Sequence, residues 1–170
     1  MKTKRVVVVP YDPKWKEQFR QIAEELKQLL GEPALAVEHV GSTSVPGLAA
    51  KPIIDIDVVI RDYGVFSQVM HLLESSGYCH EGDLGIAGRE AFTYTGKEHL
   101  QKHHLYVCPA DSGELRRHLA FRDYLRCHAD AAAEYGRIKT NAARQFPDSI
   151  EEYLQAKSPF IEEIYRQCGL

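Results

Sequence analysis

The chain has 170 residues, of which 44% are hydrophobic and 26% are charged, and its formal net charge is -3. That length is typical of one domain with a normal hydrophobic core, and that composition is too apolar for a disordered chain. We therefore expect a single domain over residues 1–170. The slightly negative charge excludes a globally basic surface of the kind that attracts nucleic acid or acidic membranes, so neither is expected as a partner.

The cysteines and the N-terminal stretch indicate the compartment. Cys79, Cys108, Cys127 and Cys168 form no CxxC pair and have no histidine partner at zinc-finger spacing, which favours reduced thiols. The start of the chain lacks the roughly 7 to 15 apolar residues of a signal-peptide core. No stretch approaches the roughly 20 apolar residues that a membrane-spanning helix needs. We expect a cytoplasmic protein, and its oligomeric state stays open.

Two amphipathic helices are predicted in the first part of the chain. The first follows Asp12 and Pro13, a side-chain cap and a proline suited to a first helical turn, and it ends at Gly31. The second begins its apolar repeat at Val65 and ends at Gly77. In both segments apolar side chains recur every third or fourth residue, which predicts that one face packs against a core.

Short apolar runs rich in β-branched residues predict strands around these helices. They cover residues 6–9, 35–40, 52–60, 90–95 and 104–108. Residues 78–88 contain several glycines and are predicted to form a loop. From Ser112 onward the pattern is helical, with Asp130 and Asp148 placed as caps of the second and third helices there. We therefore predict an α/β (α+β) fold, in which a mixed β-sheet is flanked by helices and followed by a helical C-terminal half.

The segment with the most chemical information is residues 37–60, VEHVGSTSVPGLAAKPIIDIDVVI. Alternate side chains of a strand share a face, so Asp55 and Asp57 point the same way, with their Cα atoms roughly 7 Å apart. That spacing suits shared Mg²⁺, which binds carboxylate, water and phosphate oxygens. Because a buried pair of like charges would be costly, we expect both carboxylates to face a cleft. The alternative is a strand end exposed to water.

A glycine-serine pair precedes the two acids. Gly41 allows the backbone to approach a ligand closely, and the Ser42 hydroxyl and the following amides can donate hydrogen bonds to phosphate oxygens. Alone, this pair would indicate only a turn. Together with the acids it predicts a loop that holds an anion while the acids hold a metal ion. Phosphoryl and nucleotidyl transfer depend mostly on positioning and on charge neutralisation, which is what such a site supplies.

The spacing of these motifs matches a known pattern. Gly-Ser, followed after 12 residues by Asp-Ile-Asp-Val, resembles the signature of the DNA polymerase β-like nucleotidyltransferase superfamily. More closely, HVGSTSVPGLAAKPIIDI with HHLYV and HLAFRDYLRCH resembles the GrpB family, from about residue 7 to the C-terminus. The resemblance implies a nucleotidyltransferase-like fold. Since related domains also occur fused to dephospho-CoA kinase, it points to nucleotide or coenzyme metabolism.

Three functions follow from the motifs and the resemblance. The first is a Mg²⁺-dependent nucleotidyltransferase that moves a nucleoside monophosphate from a nucleoside triphosphate to a small acceptor. The second is a non-catalytic module that binds a nucleotide or a compound related to coenzyme A. The third is an accessory domain for protein interaction or folding. The partner expected in the first two cases is a nucleoside triphosphate or another phosphorylated small molecule.

The resemblance also implies roles for individual positions. The predicted metal ligands are Asp55 and Asp57, and the predicted catalytic residues are these two acids and His104. The predicted substrate or phosphate contacts are Gly41, Ser42, Thr43, Lys51, His118, Arg122 and Lys139. His118 and Arg122 lie four residues apart on one predicted helix and so share a face, and arginine can bind phosphate bidentately. The alternative for both is a solvated surface.

Two positions depart from the patterns that these families show. Active members of the superfamily often have a third acidic residue on a later strand, where this chain has His104. Members of the GrpB family commonly read HLHV on that strand, and Tyr106 stands here at the second histidine position. We therefore expect His104 to act as a general base or a phosphate contact, or else to be a structural, hydrogen-bonded histidine.

Overall fold

The protein is described by a computed structural model over residues 5–170. Residues 1–4, which belong to the N-terminal stretch compared above with a signal peptide and to the predicted domain, lie outside the described residues. The elements in chain order are α1 (Lys14–Leu30), β1 (Ala34–Val40), β2 (Ile54–Ile60), α2 (Phe66–Ser75), β3 (Tyr78–Gly82), β4 (Glu90–Tyr94), β5 (His103–Pro109), α3 (Gly113–Cys127), α4 (Ala129–Gln145) and α5 (Ile150–Gln167).

The strands form one mixed sheet in the order β1-β2-β5-β4-β3. β2 and β5 run parallel, and the other neighbours are antiparallel. The register places Asp55 beside His104 and Asp57 beside Tyr106. The predicted architecture, a mixed sheet flanked by helices and followed by a helical C-terminal part, is confirmed.

The two faces of β2 differ in character. Ile54, Ile56 and Val58 are fully buried in the main hydrophobic core, where they meet apolar side chains of α1 and α2. Burial of each such side chain contributes about 1.5 to 3 kcal/mol. Because successive strand residues point to opposite faces, Asp55 and Asp57 project from the other side, where α3 packs. The core therefore fixes the strand that presents the acids.

Two of the secondary-structure predictions around the sheet are wrong. Residues 6–9 do not form a strand: Val9 makes an isolated bridge with Ala50, and the Val6 amide donates to the Pro147 carbonyl at 2.7 Å. The predicted loop at residues 78–88 begins with β3, an edge strand that pairs with β4 and has an irregular register near Gly82. An edge strand can form through backbone hydrogen bonds without an apolar alternation.

The C-terminal helices begin at other caps than predicted. Asp130 lies within the first turn of α4, and the N-cap position is His128, whose side chain makes no capping hydrogen bond. The cap of α5 is Ser149, whose hydroxyl accepts a hydrogen bond from the Glu152 amide at 3.2 Å, and not its neighbour Asp148. Within residues 5–170, no helix is both long and apolar enough to cross a bilayer.

Candidate functional site

A cavity of about 410 Å³ opens on the polar side of the sheet. The segment after β1, the strands β2 and β5, and the three C-terminal helices all contribute to its wall. The volume lies within the range of about 300 to 1,000 Å³ that is typical of small-molecule sites. The structure brings all the predicted site residues to this cavity except Asp57 and Arg122.

The glycine-serine segment lies directly against the first acid. β1 pairs Val40 with Asp55, so the next residue, Gly41, crosses in front of the Asp55 carboxylate. Its φ is +72°, and a Cβ added there would lie 2.2 Å from Asp55 Oδ2. Only glycine fits this position, because a side chain would collide with the carboxylate in a backbone conformation that L-residues rarely adopt. The predicted anion loop and the predicted metal ligand are therefore in contact.

Asp57 is placed differently from Asp55. It is 0% exposed, and its Oδ2 accepts a hydrogen bond of 2.6 Å from His118 Nδ1. The expectation that both acids face a cleft is therefore correct for Asp55 and wrong for Asp57, because α3 places His118 against the second carboxylate. Burial lowers the pKa of His118, but its contacts with Asp57 and Glu114 outweigh burial and raise the pKa to about 9.

His104 extends from β5 into the cavity beside Asp55. Its Nδ1 donates a hydrogen bond of 2.9 Å to Asp55 Oδ1, and 48% of its side chain is exposed. The parallel pairing of β2 and β5 fixes this contact, since it places the two residues opposite each other. The histidine is thus oriented by a carboxylate and open to a ligand, an arrangement that suits proton transfer.

Three lysines line the same cavity. Lys51 comes from the segment before β2, Lys139 from α4 and Lys157 from α5. Lys139 is 1% exposed, and its Nζ has no hydrogen-bond partner among the described residues. Burial and the neighbouring lysines lower the pKa of Lys139 to about 6, and burial lowers that of Lys157 to about 8. A buried ammonium group without a partner is costly, so this cluster is suited to an anion.

Tyrosine rings hold the lysine side chains in place. Lys51 Nζ and Lys157 Nζ lie 5.3 and 5.1 Å from the centre of the Tyr153 ring. Lys139 Nζ lies 4.6 Å from the centre of the Tyr135 ring. Ammonium groups at such distances are attracted to the ring faces. The tyrosines therefore orient the lysines without neutralising them.

Lys157, Tyr135 and Tyr153 are cavity residues that sequence reasoning missed. The chain does carry a signal for them, because Tyr-x-x-x-Lys occurs at residues 135–139 and again at residues 153–157. Residues four apart on a helix share a face, so each pair presents a ring and an ammonium group side by side. That the two pairs meet at one cavity depends on how α4 packs against α5.

Thr43 lines the cavity but its hydroxyl is engaged within the protein. It shares a hydrogen bond of 2.9 Å with His39 Nε2, and the His39 ring stacks on Phe19 with ring centres 4.5 Å apart. Burial, with a smaller contribution from Arg126, lowers the pKa of His39 to about 4. This neutral histidine supports the loop from behind.

Arg122 does not reach the cavity. Its Nη1 donates hydrogen bonds to Glu38 Oε2 at 2.7 Å and to the His39 carbonyl at 3.2 Å, and its Nε donates to Asp123. Arg122 and His118 share a face of α3, as predicted. The arginine side chain, however, contacts residues of β1, which lies beside β2, and does not enter the cavity. Arg122 thus connects α3 to β1.

Replacing Arg122 with alanine is therefore expected to lower stability and to leave anion binding unchanged. The loss removes hydrogen bonds to a charged group and is expected to be on the order of 2 kcal/mol. Urea denaturation measures it, with the exposed Arg116→Ala as the matched control. A variant that keeps its stability but no longer binds nucleoside triphosphate would contradict this placement.

The carboxylates near the cavity suit a Mg²⁺ ion that is bound partly by the protein and partly by water and phosphate. Within residues 5–170 there is no group of three or more His, Cys, Asp or Glu arranged to hold a metal ion. Mg²⁺ is nevertheless usually bound by one or two carboxylates together with water and phosphate oxygens. Asp55 faces the cavity, and Asp57 Oδ1 is buried without a hydrogen-bond partner in the described part of the chain. Asp55 therefore supplies one carboxylate at the cavity, and Asp57 Oδ1, which is buried and does not line the cavity, supplies the second only once it becomes accessible to the ion.

Comparison with known sequences identifies related proteins. The model of the GrpB family, described as GrpB protein, matches residues 5–167. The UPF0157 protein YqkA of Bacillus subtilis (strain 168) is 40% identical over 159 residues, which cover 94% of this chain and 46% of that protein. A dephospho-CoA kinase of Mycolicibacterium paratuberculosis (strain ATCC BAA-968 / K-10) is 28% identical, over 96% of this chain and 46% of that protein. The chain thus spans less than half the length of these two relatives.

Solved structures show the same fold. The crystal structure of conserved protein GrpB from Enterococcus faecalis has a TM-score of 0.84 at 40% identity, covering 95% of this chain and 96% of that one. The Cid1 poly(U) polymerase with MgGTP bound has a TM-score of 0.56 at 16% identity, covering 81% of this chain and 44% of that one. The latter likeness shows the fold alone. The predicted nucleotidyltransferase-like fold is confirmed.

Proposed function

Because the chain belongs to the GrpB family and has a nucleotidyltransferase-like fold, we propose that its cavity binds a nucleoside triphosphate and that the nucleoside monophosphate is transferred to a small acceptor. The observation that carries this proposal is the meeting of an anion loop, an exposed carboxylate and three lysines around one cavity. A polyphosphate bound together with Mg²⁺ would use all of these groups, because the carboxylate would contact the ion while the loop and the lysines contact the phosphates.

The phosphates are held by two sets of donors. Ser42 and Thr43 line the cavity on one side, and the lysines come from α4, α5 and the segment before β2. Lys139, buried and without a hydrogen-bond partner among the described residues, gains an acceptor only when an anion binds. A bound phosphate would favour its charged form, as opposite charges do.

Asp55 would hold Mg²⁺ beside these phosphates, and Asp57 Oδ1, which is buried outside the cavity lining, would share the ion once it becomes accessible. When bound, the ion neutralises phosphate charge and steadies the leaving pyrophosphate. The neighbouring fold of Cid1, whose structure contains MgGTP, supports this choice of ligand. Gly41 lets the loop approach Asp55 closely. Phosphate oxygens bound at the loop would therefore lie next to the carboxylate.

His104 would accept the proton of the attacking group. Asp55 orients the ring through Nδ1, and half of the side chain is open to the cavity. A positioned general base contributes about 10²- to 10⁴-fold to a rate. The cavity volume of about 410 Å³ lies in the range of small-molecule sites, and a small acceptor is the one proposed here.

Pyrophosphate release tests the proposal. The wild type is incubated with Mg²⁺, each nucleoside triphosphate in turn and a panel of small hydroxyl and amine acceptors. Turnover is expected to vanish in Asp55→Asn and to fall by about 10²-fold or more in His104→Asn, with the nucleotide affinity of the latter kept. Asp148→Asn, at an exposed position, is the control. Absence of nucleotide binding in the wild type contradicts the proposal.

A second candidate function is a non-catalytic module that binds a nucleotide or a compound related to coenzyme A. It is favoured by the register of β5, which places His104 and Tyr106, and no carboxylate, beside the two acids of β2. The likeness to a dephospho-CoA kinase supports a coenzyme-related ligand. Tight nucleotide binding without pyrophosphate release from any acceptor would favour this candidate.

A further inference from the structure

The two oxygens of the Asp57 carboxylate have different surroundings. Oδ2 accepts a hydrogen bond of 2.6 Å from His118 Nδ1, whereas Oδ1 is buried and has no hydrogen-bond partner among the described residues. Asp55, by contrast, keeps a third of its side chain exposed at the cavity. Of the two Asp57 oxygens, only Oδ1 is left to bind a cation, because Oδ2 is bonded to His118. Oδ1 is buried outside the cavity lining, so an ion at Asp55 binds it only once it becomes accessible.

His118 is held in this position from both sides. Its Nε2 lies 3.3 Å from Glu114 Oε1, one helical turn earlier on α3. The start of α3 is fixed in turn by Ser112, whose hydroxyl accepts from the Leu115 amide and donates to the Gly88 carbonyl at 2.7 Å. Moving the imidazole away from Asp57 would break contacts with two carboxylates. The ring is thus a fixed neighbour of Asp57.

Two-metal sites place their ions about 3.5 to 4 Å apart, close enough for a carboxylate to bridge both with its two oxygens. The Asp57 carboxylate cannot bridge in this way while His118 Nδ1 is bonded to Oδ2. We infer that this chain holds one divalent ion with its nucleotide, on Asp55 and Asp57 Oδ1, and that His118 occupies the position of a second. The inference rests on the proposed function, because the ion needs phosphate oxygens to complete its coordination.

The lysine cluster explains how the phosphate charge is met without a second ion. Lys51, Lys139 and Lys157 all face the cavity, and Tyr135 and Tyr153 hold them there without neutralising them. An ammonium group is a compact charge that pairs with phosphate without demanding a coordination geometry. Protein cations therefore replace part of the neutralisation that a second metal ion would provide.

Equilibrium dialysis with Mn²⁺ and a non-hydrolysable nucleoside triphosphate measures the number of ions held. We expect about one Mn²⁺ per bound nucleotide in the wild type at saturation. Two Mn²⁺ per bound nucleotide would overturn the inference and leave the proposed function intact. If the analogue does not bind at all, the proposed function fails and the inference with it. This measurement does not depend on turnover.

Two variants test the part played by His118. His118→Ala frees Asp57 Oδ2 and is expected to raise the ratio to about two Mn²⁺ per nucleotide. Glu114→Gln leaves the bond between His118 and Asp57 in place, so its ratio is expected to match the wild type. A ratio that stays at about one in a folded His118→Ala protein would show that the imidazole does not exclude the second ion.

Discussion

Gly41→Ala is expected to abolish nucleotide binding while the chain remains folded. The added Cβ would lie 2.2 Å from Asp55 Oδ2 and 3.0 Å from Asp55 Cβ. Rotation of the carboxylate relieves the first contact but not the second, so the loop has to move away from β2. The loop amides proposed to bind phosphate then separate from Asp55, the proposed metal ligand, and the two parts of the proposed site lose their alignment. Isothermal titration with a non-hydrolysable nucleoside triphosphate measures the loss.

Gly47→Ala is the matched control for this experiment. Gly47 lies in the same connection between β1 and β2 and has a φ of +83°, yet a Cβ there meets nothing within 4 Å. This variant therefore carries the backbone strain alone, which costs about 1 kcal/mol of stability. It is expected to bind nucleotide as the wild type does. Equal affinities of the two variants would show that contact between the loop and Asp55 is not required.

The short-range parts of the site were predictable from the sequence. Gly41, Ser42 and Asp55 lie within one strand-loop-strand segment, and the alternation of a strand determines the face on which Asp55 projects. The mixed sheet was also predictable from local sequence, since runs of β-branched residues such as residues 52–60 indicate a buried strand. The edge strand β3 was not predictable, because it is held in the sheet by backbone hydrogen bonds, which do not require a particular pattern of side chains.

The parts of the site that depend on helix packing could not be predicted. His118 and Arg122 share a face of α3, and the spacing alone treats them alike. Docking of α3 over β1 and β2 separates them, since His118 meets Asp57 while Arg122 meets Glu38. The burial of Asp57 has the same origin. Lys157 likewise joins the cavity only because α5 packs against α4.

Lys139→Met is expected to stabilise the protein and to weaken nucleotide binding strongly. Lys139 is 1% exposed, and its Nζ lacks a hydrogen-bond partner among the described residues, so its burial opposes folding. Methionine has a similar length and is apolar. Because burial and the adjacent lysines lower the pKa from 10.5 to about 6, the gain at neutral pH is expected to be on the order of 5 kcal/mol. The Lys139 ammonium group is also the one proposed to pair with a phosphate. The substitution is therefore expected to raise the free energy of unfolding and to lower the affinity for the nucleotide.

The gain is expected to depend on pH with a defined sign. Between pH 6 and 10.5 the folded wild type binds fewer protons at Lys139 than the unfolded chain does. Its stability therefore rises with pH across that window, and the advantage of Lys139→Met is largest near pH 6 and shrinks towards pH 10. Thermal denaturation at several pH values measures the difference, with the exposed Lys16→Met as the control. A variant less stable than the wild type at pH 6 would show that Lys139 is paired in the folded protein.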